Sequence, residues 1–434
     1  MIRRFRPFDG TGAGAATLAA GPSARVQVRR GLGPGLVGFL LALAIVILFG
    51  LSTPFGEVST FGLNPGGHVP AIVLPDLVVP SALGIYLMAF VAGAIGAAYL
   101  SAPRVKAGAT IGISVAALTL AFLIWAVQGQ SLNLLGMLKS TLLRATPIAL
   151  GAMSGVLCER SGVINIGIEG MMLTAALAAV VAASATSNLY LGLLAAILSG
   201  GLLALVHAVL SIKYRVDQIV SGTVINILAT GVTSYLSARF LEKYMWLNNS
   251  GTLPVWSVPG LSDIPIVGPI LFENTLIVYL MLLLVIGIQV MLFSSRFGLR
   301  VRAVGEHPRA ADTLGINVWR TRYLSVLLGG MVAGIGGAYF SIGSAGRFDE
   351  VMTAGRGFIG LAAMIFGNWT PAGAFASSLI FGFADSLQIR MQILQTPIPS
   401  EFLLMAPYVA TIVALSGVVG RVTPPAADGQ PYEK

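Results

Sequence analysis

The sequence predicts an all-α, polytopic helical membrane protein of about ten to twelve spans, and three observations carry that prediction. Hydrophobic residues make up 56% of the chain and charged residues only 10%, with a mean hydropathy of +0.86, far from the balance of a soluble domain. Apolar runs of roughly 20 residues, the length that crosses a hydrocarbon core, recur along the chain. Glycine, at 53 residues, is spread through those runs with alanine and serine, as expected where helices pack closely with no hydrophobic drive between them.

In order along the chain, residues 1–32 carry Arg3, Arg4, Arg6, Arg25, Arg29 and Arg30 among Gly, Ala and Pro. With no apolar h-region followed by a cleavage site, they read as a basic, disordered cytoplasmic tail. Uninterrupted spans are predicted at 34–52, 81–101, 107–127, 190–211, 216–238, 274–293, 322–343 and 402–420. Four further segments are short or interrupted. Residues 134–157 contain Lys139, Arg144 and Pro147, 162–183 contain Glu169, and 356–368 and 372–390 meet at Asn368-Trp369-Thr370-Pro371. Broken or re-entrant helices are expected there, because irregular backbone at membrane depth survives only inside protein or beside a wet cavity.

The placement of Lys and Arg sets the orientation. The N-terminal tail, Arg104 with Lys106, Arg160, Lys213 with Arg215, and Arg296, Arg300, Arg302, Arg309, Arg320 and Arg322 mark cytoplasmic loops. Residues 53–80 have no Lys or Arg, and 241–273 hold Tyr244, Trp246, Trp256 and several prolines with Lys243 as their one basic residue; both read as external. Twelve segments then place both termini in the cytoplasm, with Arg421 just after the last span. The formal net charge of +9 is thereby assigned to membrane orientation and not to a nucleic-acid partner.

The stretch CERSGVINIGIEGMM, residues 158–172, puts Asn165 and Glu169 four apart at the mouth of a span, a spacing that on a helix shares one face. An intramembrane carboxylate is costly and faces the bundle interior or a water-filled cavity. Two readings stand: a lining of a transport path, or a structural hydrogen bond fixing a broken helix. In QIVSGTVINILATGVTSYLS, Gln218, Gly222, Asn226, Thr230, Thr233 and Ser237 recur at helical spacing, so one face of this span is wet or hydrogen-bonded to a neighbour. Asn165, Glu169, Gln218, Asn226 and Thr230 are the candidate path residues. Asp385 has the same two readings, with structure favoured. Gly151-xxx-Gly155 and Gly330-xxx-Gly334 read as packing devices.

The loop SSRFGLRVRAVGEHPRAADTLGINVWRTRY, from residue 294, holds the other informative segment. Pro308 suits a first helical position, Ala310, Ala311 and Leu314 give one small apolar face, and Gly315 closes the helix. A short helix is therefore expected to protrude into the cytoplasm, as an interfacial anchor or as a peg for a soluble partner. The small face favours the peg, since an anchor calls for bulkier side chains.

Several chemistries are excluded. Cys158 is the single cysteine, and His68, His207 and His307 lack metal-ligand spacing, so neither a disulfide framework nor a metal or other cofactor is expected. No Gly-Lys dipeptide occurs, hence no P-loop, and there is no HExxH or GxSxG motif. An ATP-driven process would have to draw its energy through another subunit.

LLRATPIALGAMSGVLCERSGVINIGIEGMML, KYRVDQIVSGTVINILATGVTSYL, RAVGEHPRAADTLGI and GFIGLAAMIFGNWTPAGAFASSLIFG resemble the membrane permease subunits of bacterial ABC importers. The resemblance is to the branched-chain amino acid, simple sugar and nucleoside permease family, and closest to its nucleoside branch, over about residues 133–420. It implies a type II importer fold and a permease that is not itself an enzyme. It also implies three kinds of partner: an ABC ATPase subunit, a second homologous permease subunit, and an extracytoplasmic solute-binding protein. It makes Gly305, Glu306, Pro308, Arg309, Ala310, Ala311 and Gly315 the ATPase coupling loop. Residues 33–132, with three spans, then form an accessory region before the permease domain at 133–420, and 421–434 form a second cytoplasmic tail.

The expectation is an alternating-access importer in the cell membrane, moving a nucleoside or, as runner-up, a simple sugar or branched-chain amino acid. The rival of another class is an ion-coupled secondary transporter, with Glu169 and Asp385 as proton carriers.

Overall fold

A computed structural model describes residues 32–66, 72–102, 105–396 and 423–434, together with 399, 402 and 405. The predicted tail over 1–31 and the predicted last span at 402–420 lie outside the described residues, apart from Leu32 and the two isolated positions.

Among the described residues, ten helices are long and apolar enough to cross a membrane. The first three are α1 (Gly33–Ile45, prolonged by a π-turn to Gly50), α2 (Ser81–Ser101) and α3 (Ala107–Ala126). Next come α4 (Leu134–Glu159), α5 (Ile168–Thr186), α6 (Leu189–Ala208, prolonged to Lys213) and α7 (Gln218–Leu236, prolonged to Leu241). A five-residue turn, α8 (Val267–Leu271), precedes α9 (Leu276–Ser294). The connecting helices α10 (Arg296–Glu306) and α11 (Pro308–Thr313) lead into α12 (Val318–Phe340, prolonged to Ala345). The short α13 (Arg356–Phe366) precedes α14 (Pro371–Ile393).

Polar caps start these helices where the sequence supplies them. Asn133 accepts from Gly136 N, Asn188 from Tyr190 N and Leu191 N, Asp217 from Ile219 N and Val220 N, and Asn317 from Arg320 N. Short strands close the opposite end of the bundle from α10 and α11. There β1 (Val58–Gly62) pairs antiparallel with β2 (Leu77–Pro80), Val58 opposite Pro80, and parallel with β3 (Ser131–Asn133), Thr60 opposite Ser131. A second pair joins β4 (Val255–Ser257) to β5 (Glu273–Thr275).

The largest core is built around α4, whose second half from Ala145 is buried all round, with α12, α13 and α14 packed on the helix, while Lys139 and Arg144 lie in its partly exposed first half. Helices α1–α3 have a core of their own, which meets the rest through Met137 of α4 and Met391 of α14.

The glycines predicted as packing devices are contact points. A Cβ on Gly330 of α12 would lie 2.1 Å from the Ala204 Cβ of α6, and one on Gly334 would lie 2.3 Å from Ala196 O. Gly330→Val is therefore expected to lower thermal stability in detergent by about 1–3 kcal/mol through overpacking. An unchanged melting transition would contradict the close α6–α12 crossing.

The predicted segment 162–183 needs correction. Its helix starts at Ile168, because Gly162 turns the chain at φ +84° and residues 163–167 are not helical. Asn165 therefore does not share a helical face with Glu169.

Candidate functional site

Helix α4 ends at Glu159, the N–H groups of Arg160 to Val163 still bond back to its last turn, and α5 begins only at Ile168, so the backbone from Ile164 to Gly167 crosses the protein interior without helical bonds of its own. Such a stretch needs partners for its N–H and C=O groups, and α6 and α7 supply them. Gln218 Oε1 accepts from Ile164 N at 2.7 Å, and the Ile164 carbonyl lies 2.9 Å from His207 Nε2. Since a carbonyl only accepts, Nε2 carries the proton, and Nδ1 accepts from Ser221 Oγ at 3.0 Å. Asn226 Nδ2 donates to Ile166 O at 3.0 Å and its Oδ1 accepts from Gly170 N at 2.8 Å. Asn165, fully buried, turns its Oδ1 back onto Gly167 N at 3.1 Å. The close approach of α7 requires Gly222, whose Cβ would lie 2.8 Å from Gly167 N.

Glu169, in the first turn of α5, reaches a second broken helix. Its carboxylate accepts from Thr353 Oγ1 at 2.6 Å, Gly355 N at 2.8 Å and Gly357 N at 2.6 Å. It thus caps the N-terminus of α13, where a negative charge also suits the helix dipole. The loop it holds is strained, with Val351 at φ +53° and Ala354 at φ +45°, values unusual for residues with a side chain. Arg356, the first residue of α13, forms an ion pair with Asp385 of α14. Of the five candidate path residues, Asn165, Glu169, Gln218 and Asn226 thus converge on the two broken connections. Thr230 stands apart, exposed on α7 with its hydroxyl donating to Asn226 O.

The 305–315 loop takes the expected form. Pro308 occupies the first turn of α11, and Gly315, at φ +81°, ends it by donating to Asp312 O, while Ile316 N donates to Ala311 O. Gly305 packs on the end of α4, where a Cβ would lie 2.2 Å from Arg160 O. Glu306, Arg309, Ala310 and Leu314 are exposed, Leu314 to 82%. The expected single apolar face is corrected: Ala311 points inward against Val304, Val318 and Tyr432, so Ala310 and Leu314 form the free surface.

No local motif announces what covers the inner side of this peg. Residues 423–434 fold back across it. Ala427 N donates to Gly305 O at 2.8 Å, Ala426 N to Glu306 Oε2 at 3.2 Å, and Arg322 Nη1 to Gln430 O at 2.8 Å. The Tyr432 ring meets Trp319 edge-on at 6.2 Å, Glu433 pairs with Arg215, and Lys434 lies 3.8 Å from Asp312. Thr423 N donates to the Asn368 side chain at 3.1 Å.

Asp428 faces three elements: Glu159 of α4, which receives Trp369 Nε1–H at 2.6 Å, the buried Arg322 of α12, and its own segment's Gly429 N–H. Burial pushes the Asp428 carboxyl up to about 6, while its hydrogen bond with Glu159, the Gly429 N–H and the Arg322 charge pull it back. An undocked segment would titrate at the ordinary value of 3.8. Docking is thus strongest below that value and weakens as pH rises through about 6. Amide protection of 423–434, corrected for intrinsic exchange, should fall between pH 4.5 and 7, values spanning most of that window, and Asp428→Asn should flatten the profile. A flat profile in the unsubstituted protein would contradict the coupling.

Among the described residues, no group of three His, Cys, Asp or Glu side chains could hold a metal ion. Ten apolar spans among the described residues, two helices broken inside the bundle and a short helix projecting from one end define a polytopic helical membrane protein. Residues 137–415 match the model of the branched-chain amino acid transport system permease component, and the chain belongs to that family. It is 42% identical over 312 residues to the guanosine ABC transporter permease protein NupQ of Bacillus subtilis, covering 68% of this chain and 95% of the relative. It is also 42% identical over 304 residues to the nucleoside ABC transporter permease protein NupC of Lactococcus lactis, with the same two shares. The glucose ABC transporter permease protein TsgB13 of Haloferax volcanii is 31% identical over 272 residues, covering 56% of this chain and 68% of the relative. No solved structure matches the chain.

Proposed function

We propose that this chain is the membrane permease subunit of an ATP-binding cassette importer for nucleosides. The observation that carries the substrate class is the 42% identity, over 95% of their length, to two permeases named for guanosine and nucleoside transport. The end bearing α10, α11 and 423–434 faces the cytoplasm, with both termini on that side, as its arginines favour. ATP is hydrolysed in a separate ATPase subunit, against which α11 is the peg; its exposed Ala310 and Leu314, on a helix anchored by Gly305 and Ala311, support that role. An extracytoplasmic solute-binding protein delivers the ligand from the other side. A second, homologous permease packs along α7, whose outward positions include Thr223, Thr230 and Gly231, small enough for close helix approach.

Asn165, Glu169, Gln218 and Asn226 act on the path as the frame that fixes the two broken helices, and Thr230, exposed with its proton given to Asn226 O, offers a hydroxyl acceptor. An ion-coupled carrier is the weaker reading, because Glu169 is held by three donors and Asp385 by Arg356, leaving neither carboxylate as an open relay.

The substrate class is tested by competition. Uptake of labelled guanosine by cells carrying the complete transporter should be displaced by unlabelled nucleosides and not by glucose or leucine. Absence of guanosine uptake, beside uptake of labelled glucose that unlabelled glucose displaces, would move the substrate to the sugars.

A further inference from the structure

The segment 423–434 lies beyond the residues that match the family model, which end at 415. It is nevertheless bonded to five separate parts of the bundle end: Gly305 and Glu306 of α10, Arg322 and Trp319 of α12, Asn368 before α14, Arg215 before α7, and Asp312 of α11. A chance surface contact would not need that many partners. The segment also stands off from α11 on its outer side and leaves a cleft of about 820 Å³. Pro308, Arg309 and Ala310 form one wall, and Ala426, Gln430 and Pro431 form the other.

We propose that 423–434 is the second jaw of the ATPase docking site, so that the peg and this segment together grip one protruding element of the ATPase. The inference rests on α11 being the ATPase peg. The cleft is continuous with the free face of the peg, and both walls expose small or apolar side chains. Charges of both signs line the cleft: Arg309, exposed and in no ion pair among the described residues, lies beside Glu306, which accepts from Ala426 N, and Glu433, which is paired with Arg215. The element that fits is therefore an apolar segment carrying a carboxylate for Arg309. Because the jaw is built from hydrogen bonds and one aromatic contact, it is formed before the ATPase arrives, and little ordering cost remains for binding.

The test measures the affinity of the detergent-purified chain for its ATPase subunit. It compares the native sequence with Ala426→Glu, Pro431→Glu and removal of 423–434, and with Leu314→Glu in the peg. Ala426 and Pro431 are exposed, so the two point variants leave the segment's own bonds intact even if its removal impairs folding. Each point variant should weaken binding about tenfold or more, the loss expected from a moderately important interface side chain, with unchanged melting. If Leu314→Glu abolishes binding while Ala426→Glu and Pro431→Glu bind as the native chain does, the second jaw is refuted and the peg stands. If Leu314→Glu also binds normally, the assignment of the peg itself falls.

Discussion

Leu314→Glu, and separately Ala310→Glu, abolish association with the ATPase subunit and nucleoside uptake while the chain still inserts and melts normally. Leu314 is the most exposed large side chain of the peg, and Ala310 lies beside it, so neither change disturbs the contacts of Ala311 with Val304 and Val318 that hold the helix in place. Within a docking interface shaped for small apolar side chains, a glutamate at either position would lose its water. A buried, unpaired charge costs several kcal/mol, enough to lower affinity by about a thousandfold. Leu314→Met, which keeps an apolar side chain of similar size, should be nearly silent. Co-purification, with insertion checked by membrane fractionation, reads the effect; full association of both glutamate variants would contradict a peg at α11.

Glu169→Ala should have the second large effect, this time on the frame and not on the partner. It strands three donors, Thr353 Oγ1, Gly355 N and Gly357 N, inside the protein. At about 1–3 kcal/mol for each buried group left unpaired, the loss is about 3 kcal/mol or more. The strained turn through Val351 and Ala354 would also lose the contact that holds it. Glu169→Gln keeps one oxygen but turns an N–H₂ group toward a donor, so its penalty should be intermediate. Thermal unfolding and uptake should therefore fall together, in the order native, Gln, Ala. If Glu169→Gln were fully stable yet lost all uptake, the carboxyl would be acting as a proton carrier and the framing role would be wrong.

The sequence shows where polar residues interrupt apolar runs, and less of what they do. Long spans such as 81–101 and 107–127 were legible nearly to the residue, because length and hydropathy suffice for a helix that faces lipid. The broken region was legible as an anomaly, through Glu169 and its glycines. Its geometry was not: Asn165 falls in non-helical backbone because Gly162 turns the chain and long-range partners, not helical spacing, hold 163–167. The partners themselves lie far along the chain. His207 appears in the sequence as one of three scattered histidines, yet it holds the Ile164 carbonyl from α6. Thr353 is 184 residues from the carboxylate it meets. Pro308 and Gly315 announced the peg because caps are local signals. The segment that braces it carries no such signal, since its backbone groups, one ring and two terminal charged side chains reach five separate parts of the bundle far along the chain.

The most direct measurement is nucleoside uptake by vesicles containing this permease with its ATPase, partner permease and binding protein. It compares ATP inside with no ATP, and an imposed proton or sodium gradient with none. Uptake should require ATP and the ATPase, ignore both gradients and disappear with Leu314→Glu. Uptake driven by an ion gradient without ATP, and unaffected by Leu314→Glu, would contradict an ATP-driven importer.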